Sequence, residues 1–141
     1  MKILSKEQVE AQLSSIQRDC KNDIFLDMED IELITKDKDS VMIGVCENKS
    51  NNSSSKIITS IINDFENNRP PLTKLDGILV YFQVHSKYDT CMMLDAMEIV
   101  YNKYDNQSID NQIYILFGTY CNDKLDIDYA KVTVFFALSK E

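Results

Sequence analysis

The sequence predicts an α+β fold: a two-layer sandwich of two packed helices on a four-stranded mixed β-sheet, preceded by an N-terminal helix. Three observations lead there. Short, largely apolar runs such as Val41–Cys46 and Gly77–Val84 have the length and composition of buried strands. Between them lie longer stretches whose apolar residues recur at helical spacing. The order of the two types in the latter part of the chain, strand, helix, strand, helix, strand, strand, describes two crossovers followed by a hairpin.

In chain order, Ser5 to about Cys20 reads as a helix, with Val9, Leu13 and Ile16 on one stripe. Lys21-Asn22-Asp23 interrupts it. A shorter helix follows, with Asp27 placed as its N-cap and Met28, Ile31 and Ile34 on one face. Lys36 to Asp39 is a solvated turn, and Val41–Cys46 is the first strand. Glu47 to Ser55 is rich in Asn and Ser and reads as a loop. Ser55 to about Asn67 is a helix, its stripe formed by Ile57, Ile58, Ile61, Ile62 and Phe65. Pro70 and Pro71 end it, because proline lacks the backbone donor and clashes with the preceding turn. Gly77–Val84 is the second strand. Asp89-Thr90 caps a long helix carrying Met93, Met97, Val100 and Tyr104, and Tyr104 to Asn111 is a polar loop. Gln112–Thr119 and Tyr129–Leu138 are the last two strands, the latter alternating cleanly between two faces. One face of the sheet is expected to stay partly open, exposing Tyr81 and Phe135 as a contact site. Residues 1–35 form an N-terminal helical segment and residues 36–141 the sandwich.

At 141 residues the chain is one domain's worth of sequence. A formal charge of −8 with only two arginines, Arg18 and Arg69, excludes the clustered cations that a nucleic-acid or anionic-membrane partner demands. No apolar run reaches the roughly 18 residues that span a bilayer, and no secretory core follows Met1, so a cytoplasmic protein is expected. Cys20, Cys46, Cys91 and Cys121 are widely spaced and never Cys-x-x-Cys, which suits reduced, packed thiols.

Several local motifs, in order, resemble the C-terminal half of the tubulin-like cell-division protein FtsZ. Ile24 to Ile31 is similar to that family's Asn-x-Asp-x-x-Asp loop, with Asp27 and Asp30 matching the aspartates and Phe25 standing for the asparagine. Val41-Met42-Ile43-Gly44 resembles its first sheet-domain strand, and Pro71-Leu72 with Asp76-Gly77-Ile78-Leu79-Val80 its next helix end and strand. Leu116-Phe117-Gly118-Thr119 and Lys131-Val132-Thr133-Val134 resemble its last two strands. His85-Ser86-Lys87 departs from it where the family carries glycines. The family's GTP site lies in its other half. Here Gly44, Gly77 and Gly118 stand singly in strands, with no phosphate-cradling loop, so no cofactor is expected.

In the family the matching acidic loop enters the nucleotide pocket of the next subunit, so the resemblance implies a partner-binding role for Phe25, Asp27 and Asp30. Capping and the helix dipole also account for both aspartates. His85, the one histidine, lacks further ligands at metal-site spacing. Met92, Met93 and Met97 read as core filling. The acidic stretch Asp123–Asp128 lacks the glycine and terminal glutamate of a calcium loop. The expected function is therefore a non-enzymatic interaction module that associates with itself or caps FtsZ-type filaments. Val9, Leu13 and Ile16 would supply a homodimer interface. The alternative is a small-molecule binder or enzyme with its site at an oligomer interface.

Overall fold

The computed structural model describes residues 1–5, 7, 8, 11, 12, 38, 40–50, 52–104 and 113–140. They form five strands and two helices: β1 (Lys2–Leu4), β2 (Ser40–Lys49), α1 (Ser53–Asn68), β3 (Thr73–Val84), α2 (Thr90–Tyr104), β4 (Tyr114–Cys121) and β5 (Tyr129–Lys140). The sheet order is β1-β2-β5-β3-β4, antiparallel throughout except for the parallel β3–β4 pair.

This topology corrects two expectations. The sheet has five strands rather than four, because Lys2–Leu4 pairs with Val41–Ile43 at its edge. The last two strands make no hairpin. β5 runs antiparallel to β4 but inserts between β2 and β3, so seven residues carry the chain across the end of β3. Burial fits this place: Val132–Leu138 of β5 are buried without a break, as the central position, with a strand on each side, requires.

Both helices lie on one face and pack against each other. Ile57, Ile58, Ile61, Ile62 and Phe65 of α1, with Met93, Met97, Val100 and Tyr104 of α2, meet Met42, Ile78, Val80, Phe82, Val132, Val134 and Phe136 of the sheet. The Phe65 and Phe136 rings stack with centroids 3.9 Å apart, both fully buried. Gly44 lets α1 approach β2: a Cβ there would lie 2.9 Å from Ile61 Cγ2 and 3.0 Å from Met1 Cε. α1 ends at Asn68 as the prolines dictate, and the Arg69 guanidinium sits 5.7 Å above the Phe65 ring.

The opposite face is not open. Tyr81 is 6% exposed and Phe135 fully buried, within a second cluster of Val41, Ile43, Leu79 and Ala137. The expected contact site at Tyr81 and Phe135 is thereby withdrawn. β3 also begins four residues earlier than its apolar run. A bulge at Asp76, between Leu75 and Gly77, shifts the alternation and puts Leu75 and Ile78 in the same core. Asp76 itself receives Lys38 Nζ at 3.3 Å. β2 continues through Glu47 to Lys49, residues the composition assigns to a loop, because they pair with Lys131 to Tyr129 of β5. Of the helix expected over Ser5–Cys20, Glu7, Gln8, Ala11 and Gln12 are helical, and Ser5 and Gln8 exchange reciprocal capping hydrogen bonds. The rest of that helix, and the short helix after Asp27, lie outside the described residues.

Candidate interaction surfaces

β2 and β3 both run antiparallel to β5, so the carboxyl ends of β2, β3 and β4 share one end of the sheet. Both helices start there, and their first turns are served from within the protein. The Tyr88 hydroxyl, buried between the helices, lies 2.7 Å from Ser53 Oγ and 2.6 Å from Ser54 Oγ. It also accepts the Ser54 N–H at 3.2 Å. Asp89 caps α2 through the Cys91 N–H at 2.9 Å, as its position in the sequence predicts.

At the same end, His85 and Asp123 bring the β3–α2 and β4–β5 connections together. The His85 Nδ1 accepts the Lys87 N–H at 2.9 Å and faces Asp123 Oδ1 at 3.7 Å. Asp123 also accepts the Ser86 N–H at 3.1 Å. The Ser86 hydroxyl first, then its backbone N–H, hold the Asp123 carboxyl below the usual carboxylate range, with the Lys87 ammonium adding positive charge. This arrangement joins two loops. Among the described residues no group of three ligand-type side chains gathers around a metal position, there or at the Asp123–Asp128 turn.

Beside it, β2 and β5 present a polar strip. Glu47 lies directly opposite Lys131, the Tyr129 hydroxyl donates to the Glu47 carboxylate, and Lys49 Nζ meets Asp126 Oδ2 at 3.1 Å. Desolvation first, then the hydrogen bond to Glu47, push the Tyr129 phenol up to about 12. Val45 and Ile127 are exposed at 52% and 54% near this strip.

A cleft of about 720 Å³ opens between β1, β2 and α1. Leu4, Ile43 and Val45 form its apolar wall, Gln8 and Gln12 supply amides, and Asp64 pairs with the Met1 ammonium at 3.4 Å. At the far edge of the sheet lies β4, half-buried over most of its length, with Tyr114 54% exposed.

The partner-binding residues the sequence singles out, Phe25, Asp27 and Asp30, lie outside the described residues, as do the interface residues Val9, Leu13 and Ile16. Met93 and Met97 are buried in the helix-side core and Met92 packs against it, as expected of core filling. Cys46, Cys91 and Cys121 are thiols rather than disulfides. The approach of His85 to Asp123 escapes sequence reasoning, since 38 positions separate them. The one available signal is that each follows the carboxyl end of a strand expected to run parallel to the other.

A five-stranded mixed sheet with two helices on one face defines the class: an α+β domain of the FtsZ/tubulin-like fold. The structural likeness is to FtsZ and to TubZ. The chain superposes on an FtsZ variant from M. jannaschii with a TM-score of 0.67 at 14% identity, covering 96% of this chain and 42% of that one. The empty FtsZ dimer of M. jannaschii matches with a TM-score of 0.60 at 14% identity, over 83% of this chain and 36% of that one. GDP-form protofilaments of Bacillus thuringiensis serovar israelensis TubZ match with a TM-score of 0.56 at 13% identity, over 94% and 37%. The chain therefore spans well under half the length of the structures it matches. No protein-family model matches it, and no curated protein matches it in sequence. No helix among the described residues is long and apolar enough to cross a membrane.

Proposed function

We propose that this chain is a non-enzymatic interaction module that binds the end of an FtsZ-type filament, or itself, and so limits assembly. The observation that carries the reading is the partial likeness. Nearly the whole chain matches about two-fifths of an FtsZ structure, and related matches are a dimer and protofilaments. A unit that carries the acidic-loop side of such a subunit would meet one end of a filament through that side. Asp27 and Asp30, with Phe25, are the contacts we assign to that end. Self-association through Val9, Leu13 and Ile16 belongs to the same proposal, since an apolar helical stripe is stabilised by a partner surface.

The test is assembly of FtsZ from the same organism with GTP, with and without this protein, following pelleted polymer and released phosphate. Sub-stoichiometric protein is expected to lower both, and Asp27→Asn with Asp30→Asn to weaken the effect. Unchanged polymer and turnover at equimolar protein would remove the filament role.

A further inference from the structure

The end of the sheet where the β3–α2 and β4–β5 connections meet holds the chain's only histidine. Its side chain is 15% exposed. The Asn122 N–H, donating to the Val84 carbonyl at 2.8 Å, brings the two connections together beside it. Two contacts define the ring's state. Nδ1 accepts the Lys87 N–H at 2.9 Å, so the neutral imidazole carries its proton on Nε2. The same Nδ1 faces Asp123 Oδ1 at 3.7 Å, beyond hydrogen-bond distance, and an unprotonated nitrogen has nothing to donate to a carboxylate.

The other acidic groups of the two connections are engaged elsewhere. Asp89 caps α2 through the Cys91 N–H, and the Tyr88 hydroxyl is committed to Ser53 and Ser54. Asp126 pairs with Lys49, and Asp128 adds to the field there. Lys87 and Lys124 are the cations of the two connections. Asp123 is therefore the carboxylate set against the ring. Hydrogen bonds from Ser86, side chain first and then backbone, keep it ionised at the mildly acid pH where imidazoles gain a proton.

An imidazole that gains its second proton changes from acceptor to donor at Nδ1. It can no longer receive the Lys87 N–H. Lys87 lies on the surface, so that amide turns to water. The imidazolium gains a partner in exchange. Bonds of the N⁺–H···O⁻ type run roughly 2.7–2.9 Å, so closing from 3.7 Å takes a movement of about 1 Å.

We infer that His85 is a pH-sensitive switch between two connections: a proton taken from solvent at Nδ1 breaks the bond from the Lys87 N–H within one loop and makes a bond to Asp123 in the other. Acidification thereby releases one bond of the His85–Tyr88 turn and ties the carboxyl end of β3 more firmly to that of β4. The turn leads directly to Tyr88, whose hydroxyl serves the first turn of α1, so the exchange reaches the end of the sheet where both helices start. The inference is independent of any filament role.

Heteronuclear NMR of the full chain between about pH 8 and pH 5 tests it. With one histidine in the chain, the ring signals need no assignment. At the upper pH the ring nitrogens are expected to show the proton on Nε2. As the ring gains its second proton, the Lys87 amide should lose hydrogen-exchange protection at least about fivefold, after correction for the intrinsic pH dependence of exchange. The Ser86 amide, held by Asp123, should keep its protection. Cross-relaxation between the ring and the Asp123 side chain should grow over the same range. Asp123→Ala removes the acceptor: that growth and the Ser86 protection should vanish, while the Lys87 amide still responds. A ring protonated on Nδ1 at the upper pH overturns the inference. So does a Lys87 amide indifferent to ring protonation, or a ring that draws no nearer to Asp123. These readings use the unsubstituted chain, so they decide the matter even if Asp123→Ala fails to fold.

Discussion

Placing a methyl group on Gly44 tests the packing of α1 on the sheet. Gly44 lies in β2 beneath Ile61, and an added Cβ would meet Ile61 Cγ2 at 2.9 Å, closer than side-chain carbons approach one another. Ile61 is 4% exposed and held by the helix, so the contact is relieved only by moving α1 or twisting a rotamer. The second contact, Met1 Cε at 3.0 Å, is the far end of a flexible side chain and yields cheaply. Overpacking of this kind costs ~1–3 kcal/mol. Alanine offsets ~0.4–1 kcal/mol of that by restricting the unfolded chain. Gly44→Ala should therefore lose about 1–2 kcal/mol in urea unfolding followed by circular dichroism, and melt roughly 3–6 °C lower. Ile61→Ala alone should cost ~2–5 kcal/mol as a cavity. Combined, the two should cost less than their sum by about 1 kcal/mol, because the new methyl enters the space the isoleucine leaves. A Gly44→Ala protein as stable as its parent, or strictly additive substitutions, would refute the close-approach argument.

Other consequences follow from the same geometry. Tyr88→Phe leaves the buried Ser53 and Ser54 hydroxyls and the Ser54 N–H without their shared partner, and should cost about 1–3 kcal/mol by urea unfolding. Phe65→Ala removes a fully buried ring stacked on Phe136 and should cost ~3–5 kcal/mol in the same assay. The Tyr129 phenol, raised to about 12, should ionise above the ordinary tyrosine value when phenolate absorbance is followed, and Glu47→Gln should bring it back toward 10. Because its folded value lies above its unfolded one, its contribution to stability is complete below about pH 10 and is lost as the pH rises through 12.

The elements that announce themselves in the sequence are those with a local period. The Ile57–Phe65 stripe identifies α1, and the alternation from Tyr129 identifies β5, because each pattern needs only residues a few positions apart. What the pattern misses is non-local. Nothing in Tyr129–Lys140 states that it pairs with Ser40–Lys49 on one side and Thr73–Val84 on the other, so a hairpin with β4 is the natural expectation and the wrong one. Lys2–Leu4 is too short to carry a period at all. The bulge at Asp76 breaks the alternation that would have extended β3 back to Thr73. Likewise, burial of Tyr81 and Phe135 depends on what covers the sheet, which alternation leaves undetermined. Among the surfaces, the His85–Asp123 contact is a meeting of two distant loops.

The central claim, that this chain acts on assembly of an FtsZ-type filament, is tested most directly by filament length. Filaments of FtsZ from the same organism would be grown with GTP, imaged by negative-stain electron microscopy, and measured with increasing amounts of this protein. The account expects mean length to fall at about one copy per ten subunits, with Asp27→Asn and Asp30→Asn together restoring it, because an end-binding unit acts by number of ends rather than by mass. Filaments of unchanged length at equimolar protein would contradict it.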